Sequence, residues 1–274
     1  MATIYSIVMN KGGVGKTTFA TNFAGVLSEE KDARVLIVDS DGQANSAYTF
    51  GMDTSDREYT IYDVYMGKCT IKDVTVNVRK NIDVAVANRD MNLIEFDIYN
   101  TLESRVRDEG KSEYTILKDA LKEVENEYDY IIIDTPPSLG FVTRNGLIAC
   151  DEVIIPFQPT HYASKGLVSM INEIDEFKIE QGIDIKIAGV VGMVIDKKTV
   201  VHTAIYPTAR DYCRSRKIPF MKRSIPRATV YEKSVTFDNL PATLLTNRKK
   251  ASKAVKPFFE IVDEILEGEV VVNG

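Results

Sequence analysis

The chain has 274 residues, 44% of them hydrophobic, and carries 34 Lys and Arg against 40 Asp and Glu, a net charge of −6. That length suits one α/β domain or two small ones, with ample apolar material for a core. No stretch approaches ~20 uninterrupted apolar residues, so no membrane-spanning helix is expected, and a strand pattern starting almost at the first residue leaves no room for a signal peptide. The acidic balance argues weakly against a nucleic-acid partner, but the charge is unevenly spread. Residues 197–257 hold 15 basic and three acidic residues, a net +12 that leaves −18 on the rest. Such asymmetry suggests one basic face on an acidic body. Cys69, Cys150 and Cys213 show neither metal-site nor CxxC spacing and read as reduced thiols.

In chain order, Ile4 to Met9 form an apolar, β-branched run that predicts a strand, and Lys16 to about Ser28 have helical spacing. Between them stands Lys11-Gly12-Gly13-Val14-Gly15-Lys16-Thr17-Thr18. Strand, glycine loop and helix are the context of a phosphate-binding loop, and the spacing fits G-x-x-x-x-G-K-[ST] with Lys11 in place of the first glycine. The glycines let backbone approach a phosphate, and the loop N–H groups and helix N-terminus add partial positive charge. Lys16 would reach the β- and γ-phosphates, and Thr17 would set a hydroxyl on Mg²⁺.

After a turn at residues 31–33, Arg34 to Asp39 read as a buried parallel strand. It ends in Asp39-Ser40-Asp41-Gly42-Gln43-Ala44-Asn45. Carboxylates at the C-terminal end of such a strand sit where α/β proteins bind ligands. Residues 46–80 are mixed, with a short helix at Ile61 to Val64. Asn81 to Ala87 predict a strand, Leu93 to Val106 a helix, and Arg107 to Ser112 a solvated connection. Leu117 to Glu127 read as an amphipathic helix with Leu117, Leu121 and Val124 on one face. Tyr128 to Asp134 form a buried strand whose terminal acid, followed by Thr135-Pro136-Pro137-Ser138-Leu139-Gly140, has the placement of a magnesium-associated carboxylate.

Asp151 to Phe157 and Ile187 to Ile195 are further strands, the second with Gly189 and Gly192 permitting close packing. His161 is read as a surface or cap residue. Leu167 to Ile179 and Tyr206 to Arg216 are helices, the latter with a basic exposed side. Ser224 to Ala228 read as a loop. Arg248 to Leu266 read as one helix, basic at its start and acidic at its finish. Within the basic segment, Arg223, Arg248, Lys249, Lys250 and Lys253 are the candidate contacts to a nucleic-acid partner. Alternation of strands and helices predicts a single doubly wound α/β domain over 1–274, with a mainly parallel sheet.

The loop at 11–18 resembles the deviant Walker A motif, KGGxGK[ST], of the family that includes the partition ATPases (ParA, Soj), the septum-site ATPase MinD and the nitrogenase iron protein. Asp39 to Asn45 resemble the partition branch's D-x-D-P-Q-G-N, with Gly42 for Pro and Ala44 for Gly. Asp134 to Gly140 resemble its D-x-P-P-S-L-G. Residues 158–167 match P-x-Q-P-E-x-x-A-L-x-G-L in part, with Thr160 and Lys165 where acids are common. Ser224 to Ala228 resemble I-P-R-N-V, with Ala228 for Asn.

The resemblance implies a deviant P-loop NTPase that takes ATP and Mg²⁺. The nucleotide would be bound by Lys11, Gly12, Gly13, Val14, Gly15, Lys16, Thr17 and Thr18, with Pro226, Arg227 and Ala228 on the adenine. It implies catalytic Lys16 in cis, Lys11 in trans across a homodimer, and Asp41 polarising the attacking water. Thr17, Asp39 and Asp134 would serve the metal. It further implies an ATP-sandwich dimer on nonspecific double-stranded DNA, slow hydrolysis stimulated by a ParB-type centromere-binding partner, and a cytoplasmic, nucleoid-associated protein that segregates plasmids or chromosomes. Three rivals are weighed. A MinD-like membrane regulator needs a basic amphipathic C-terminal helix, whereas this tail carries Glu260, Asp263, Glu264, Glu267 and Glu269. An iron-protein-like reductase needs cysteines in a cluster-bridging context that these three lack. A nucleotide-gated scaffold without turnover would release no phosphate.

Overall fold

The computed structural model describes residues 1–100, 112–160, 163–196 and 198–268, with the side chains of residues 200–202 left aside. Eight strands form one sheet in the order β3-β4-β2-β5-β1-β6-β7-β8. They are β1 (Thr3–Ile7), β2 (Val35–Asp39), β3 (Thr75–Arg79), β4 (Ile82–Ala85), β5 (Tyr130–Asp134), β6 (Glu152–Phe157), β7 (Lys186–Ile195) and β8 (Phe220–Pro226). Every pairing is parallel except β3 with β4. The helices are α1 (Lys16–Lys31), α2 (Asn45–Thr49), α3 (Ile61–Tyr65), α4 (94–100), α5 (Ile116–Leu121), α6 (Phe141–Ala149), α7 (Ala163–Gln181), α8 (Val200–Ser215), α9 (Val230–Asp238) and α10 (Lys256–Glu267).

Alternate residues of each central strand enter two separate cores. Ile131 and Ile133 join α5, α6, α7 and α8 on one face of the sheet. Ile132 points the other way, with Phe19 and Phe23 of α1 and Phe258 and Phe259 of α10. This is why the central strands are apolar throughout: both their faces are covered. The chain is therefore the doubly wound, mainly parallel α/β fold expected. The central strand β1 lies between β5 and β6, so the loop after it opens where ligands gather in open α/β sheets.

Several bounds differ from the sequence reading. The last helix starts at Lys256 rather than Arg248, because Pro257 in its first turn has no N–H to donate to the Lys253 carbonyl and its ring would clash with that carbonyl in a continuous helix. Residues 247–255 are turns instead, with Lys250 N donating to Asn247 O and Lys256 N to Ser252 O. The helix at Ile116 stops at Leu121, and turns at Val124, Glu125 and Glu127 carry Val124 into the core without it. Ser224 to Pro226 end a strand rather than forming a loop. A short 3₁₀ turn (Arg89–Leu93) precedes α4, and the remainder of the helix expected to Val106 lies outside the described residues, as do His161 and most of the connection at 107–112. Helices α7 and α8 begin earlier than expected, α8 with Pro207 in its interior.

Candidate functional site

The loop between β1 and α1 wraps the mouth of a cavity of about 600 Å³. Gly13 and Gly15 adopt φ of 72° and 91°, a left-handed backbone that L side chains rarely take, so glycine is required at both. Gly12, Gly13, Gly15, Lys16, Thr17 and Thr18 all line the cavity, while Val14 turns into the core. Lys16 is 7% exposed, and its ammonium approaches Met9 O at 3.4 Å. Burial lowers its pKa, opposed by the nearby carboxylates of Asp134 and Asp41. It is thus a desolvated cation on the cavity wall, where a phosphate would complete its pairing.

Asp39 and Asp134 are register partners on β2 and β5, and both are fully buried. Asp39 Oδ1 accepts from Asp41 N at 3.2 Å, and Oδ2 accepts from Ser46 N at 2.9 Å and Ala47 N at 3.4 Å. Its oxygens fold the 40–47 loop back over the strand end and hold Asp41 at the cavity wall. Asp134 Oδ2 accepts from Ser46 Oγ at 3.0 Å, whereas its Oδ1 is buried with no hydrogen-bond partner among the described residues. Burial and the Asp134 charge raise Asp39 well above the usual carboxylate range. Burial pushes Asp134 up to about 6, against the pull of the Thr17 hydroxyl, Lys16 and Ser46.

An unpartnered buried carboxylate oxygen beside a threonine hydroxyl fits an oxygen-seeking divalent cation, which prefers this donor chemistry and keeps several waters. Asp134 and Thr17 are therefore the residues placed to hold one, with Asp39 behind them organising the loop. No group of three or more His, Cys, Asp or Glu is placed to hold a metal ion among the described residues, so most of the ion's coordination would fall to water and phosphate. Asp41 lines the cavity and is half-buried, its Oδ1 accepting from Gln43 N at 3.0 Å. Ala44, two residues on from Gly42, takes a φ of 51°. It stands where the resembling motif has glycine, in backbone that favours glycine.

The remaining expected residues are placed apart. Lys11 does not line the cavity; its Nζ donates to Thr160 Oγ1 at 2.9 Å. Pro226 and Arg227 line a different cleft, of about 570 Å³, together with Asp196, Lys198, Lys222, Arg223 and Lys253. Arg227 N donates to Ile195 O, which ties this turn to the end of β7. Ala228 lines neither space. The far wall of the loop's cavity is instead built by Tyr48 and Thr49 of α2 and by Tyr231, Glu232, Val235 and Thr236 of α9. The sequence reading missed these. Their spacing of i, i+1, i+4 and i+5 is one face of a helix, and that pattern was the available signal once α9 was recognised.

The five basic candidates divide. Arg248 bridges α1 and α10: its Nε meets Glu30 at 2.9 Å, its Nη1 meets Asp263 at 2.5 Å, and its guanidinium lies 5.7 Å over the Phe259 ring. Arg223 pairs with Glu260. Lys249, Lys250 and Lys253 are exposed and form no ion pair among the described residues. The two arginines are thus engaged structurally, and the three lysines are available to an anionic partner. Helix α10 buries Phe258, Phe259, Ile261, Val262 and Ile265 in the core, so its apolar side is taken. No helix among the described residues is long and apolar enough to cross a membrane.

Comparison with known proteins gives the chain's relatives. Residues 2–187 match the AAA domain family. The chain is similar to the sporulation initiation inhibitor protein Soj of Bacillus subtilis, 34% identical over 83% of this chain and 85% of that one. It is likewise similar to the chromosome partitioning protein ParA of Myxococcus xanthus, 33% identical over 78% of this chain and 72% of that one. Among solved structures, cobyrinic acid a,c-diamide synthase of Mycobacterium smegmatis, with bound ATP analogue and magnesium, shares the fold. Its TM-score is 0.79 at 24% identity, covering 97% of this chain and 95% of that one.

Proposed function

The chain belongs to the ParA-type partition ATPases of the MinD/ParA superfamily, and on that premise we propose that it binds Mg-ATP, closes into an ATP-sandwich homodimer, and in that form holds nonspecific double-stranded DNA. It then hydrolyses ATP slowly, faster when a ParB-type centromere-binding protein engages it, and so drives segregation of a plasmid or chromosome from the cytoplasm over the nucleoid. It works as one domain across 1–274.

The observation that carries this reading is the division of the two loop lysines. Lys16 lines the cavity and would pair in cis with the β- and γ-phosphates. Lys11, in the same loop, does not line the cavity and donates instead to Thr160 Oγ1, which leaves it for the nucleotide of a second subunit. Thr17 and Asp134 would hold magnesium, which screens phosphate charge as the terminal phosphate departs. Asp41, tethered by the loop that Asp39 folds, would orient water toward that phosphate. The backbone N–H groups of Gly12 to Thr18 would bind the phosphate oxygens. For the base we favour the crevice between α2 and α9, where Tyr48 and Tyr231 line the cavity beside Thr18 and Asn22. Pro226, Arg227 and Ala228 keep the adenine role only if the subunit rearranges when nucleotide enters.

DNA would be held by the exposed Lys249, Lys250 and Lys253, with Arg223 joining them only if it gives up its pairing with Glu260. Phosphate contacts position a duplex without reading bases, so binding ignores sequence. The test is a filter-binding titration on random duplex DNA across salt. Binding appears only with Mg-ATP, and log K falls with log salt at a slope of roughly −7 if about eight phosphates are neutralised. Binding of equal strength without nucleotide would overturn the ATP gate.

A further inference from the structure

Lys11 opens the phosphate loop, yet its side chain lies outside the cavity enclosed by Gly12, Gly13, Gly15 and Lys16. Its ammonium donates to Thr160 Oγ1 at 2.9 Å. Thr160 stands three residues beyond β6, the strand beside β1, and its carbonyl accepts from Ala163 N at 2.9 Å as α7 begins. A threonine at such a position commonly turns its hydroxyl onto the helix backbone. Here that oxygen receives the Lys11 ammonium. No carboxylate pairs with Lys11 among the described residues, so the lysine is held in place by a neutral group.

We propose that Thr160 is the positioning residue for Lys11. In the single subunit it parks the ammonium at the rim, away from the chain's own phosphates. It gives the lysine up when a second subunit presents bound nucleotide. The proposal rests on the trans role of Lys11 given above. Each subunit must break this bond before its lysine crosses, so the bond competes with dimerisation. The competition is mild, because the lysine exchanges a neutral hydroxyl for a polyphosphate, and a charge-assisted bond with an anion is the stronger of the two. A carboxylate at position 160 would hold the lysine by charge as well; an apolar side chain would leave it loose.

Two measurements on the full chain test this, with Thr160→Ser keeping the hydroxyl and Thr160→Val removing it at similar volume. The first is the rate at which an amine-directed acetylating reagent modifies Lys11 in the nucleotide-free protein, read by mass spectrometry. Thr160→Val should label several-fold faster than wild type, and Thr160→Ser at the wild-type rate. The second is the dimer dissociation constant with a non-hydrolysable ATP analogue, read by sedimentation equilibrium. Loss of one hydrogen bond per subunit, two per dimer, should tighten the Thr160→Val dimer by about 5- to 30-fold, while Thr160→Ser matches wild type. Equal labelling of the valine variant, or a valine dimer no tighter than wild type, overturns the proposal. Lys11→Ala separates the two readings. If it dimerises like wild type, the trans role itself is wrong. If it fails to dimerise while Thr160→Val behaves as wild type, only the part given to Thr160 is wrong.

Discussion

Replacing Asp134 by Asn should stabilise the nucleotide-free protein at neutral pH while removing its response to magnesium. Asp134 is fully buried, one of its oxygens is unpartnered, and burial pushes its pKa from 3.8 to about 6. That rise corresponds to about 3 kcal/mol of destabilisation once the group is ionised. The folded state binds this proton more tightly than the unfolded chain does, so stability falls as pH climbs from about 4 to about 6 and stays low above that. Asparagine is neutral at every pH and its oxygen still accepts from Ser46 Oγ. Its amide takes the unpartnered place of Oδ1, which costs about 1 kcal/mol for a donor without an acceptor. The net gain at pH 8 is then about 2 kcal/mol, or roughly 5 °C in Tm for a chain of this size. At pH 4.5 the wild-type carboxyl is mostly protonated, and the variant's advantage should vanish. Thermal unfolding followed by circular dichroism at both pH values, with and without Mg-ATP, reads all of this. Wild type should gain stability with magnesium at pH 8, and the variant should not. An Asn variant that is less stable than wild type by the same amount at both pH values would refute the reasoning, because the buried charge would then carry no penalty.

Lys16→Ala should abolish measurable ATP binding by titration calorimetry, since it deletes the desolvated cation on the cavity wall. Asp41→Ala should bind ATP with near-normal affinity yet lose most turnover, because orienting water is a transition-state role that affects kcat more than affinity; normal phosphate release would remove Asp41 from the site. Arg248→Ala should cost about 1–2 kcal/mol in denaturant unfolding, through a half-exposed ion-pair network and a guanidinium–ring contact, whereas Lys249→Ala with Lys250→Ala should leave stability unchanged and flatten the salt dependence of DNA binding. Ala44→Gly should gain about 1 kcal/mol by relieving left-handed backbone, checked by the same unfolding assay.

The parallel core was legible because β2, β5, β6 and β7 are covered on both faces and so are written as unbroken apolar runs. The edge strand β3 (Thr75–Arg79) was not, since its side chains are half-exposed and its sequence, TVNVR, alternates without a long apolar run. β8 escaped for a related reason: Lys222 and Arg223 stand exposed in its middle and break the pattern. The phosphate loop could be read outright, because its glycines answer a backbone requirement that any sequence must meet at those positions. Asp39 shows where such reading stops. The resemblance placed it with the metal, but in the fold both its oxygens are taken by backbone N–H groups of residues 41, 46 and 47. In the same way a count of basic residues cannot separate Arg248, consumed by Glu30 and Asp263, from Lys249 beside it.

The most direct test of the whole account is steady-state phosphate release at saturating Mg-ATP, measured for the wild type and Asp41→Ala, each alone and with random duplex DNA and the protein encoded beside this one. The account predicts slow release by the wild type alone, a marked rise when DNA and partner are both present, and a flat baseline for the variant in every condition. Phosphate release that is absent throughout, or that proceeds equally in Asp41→Ala, would contradict it.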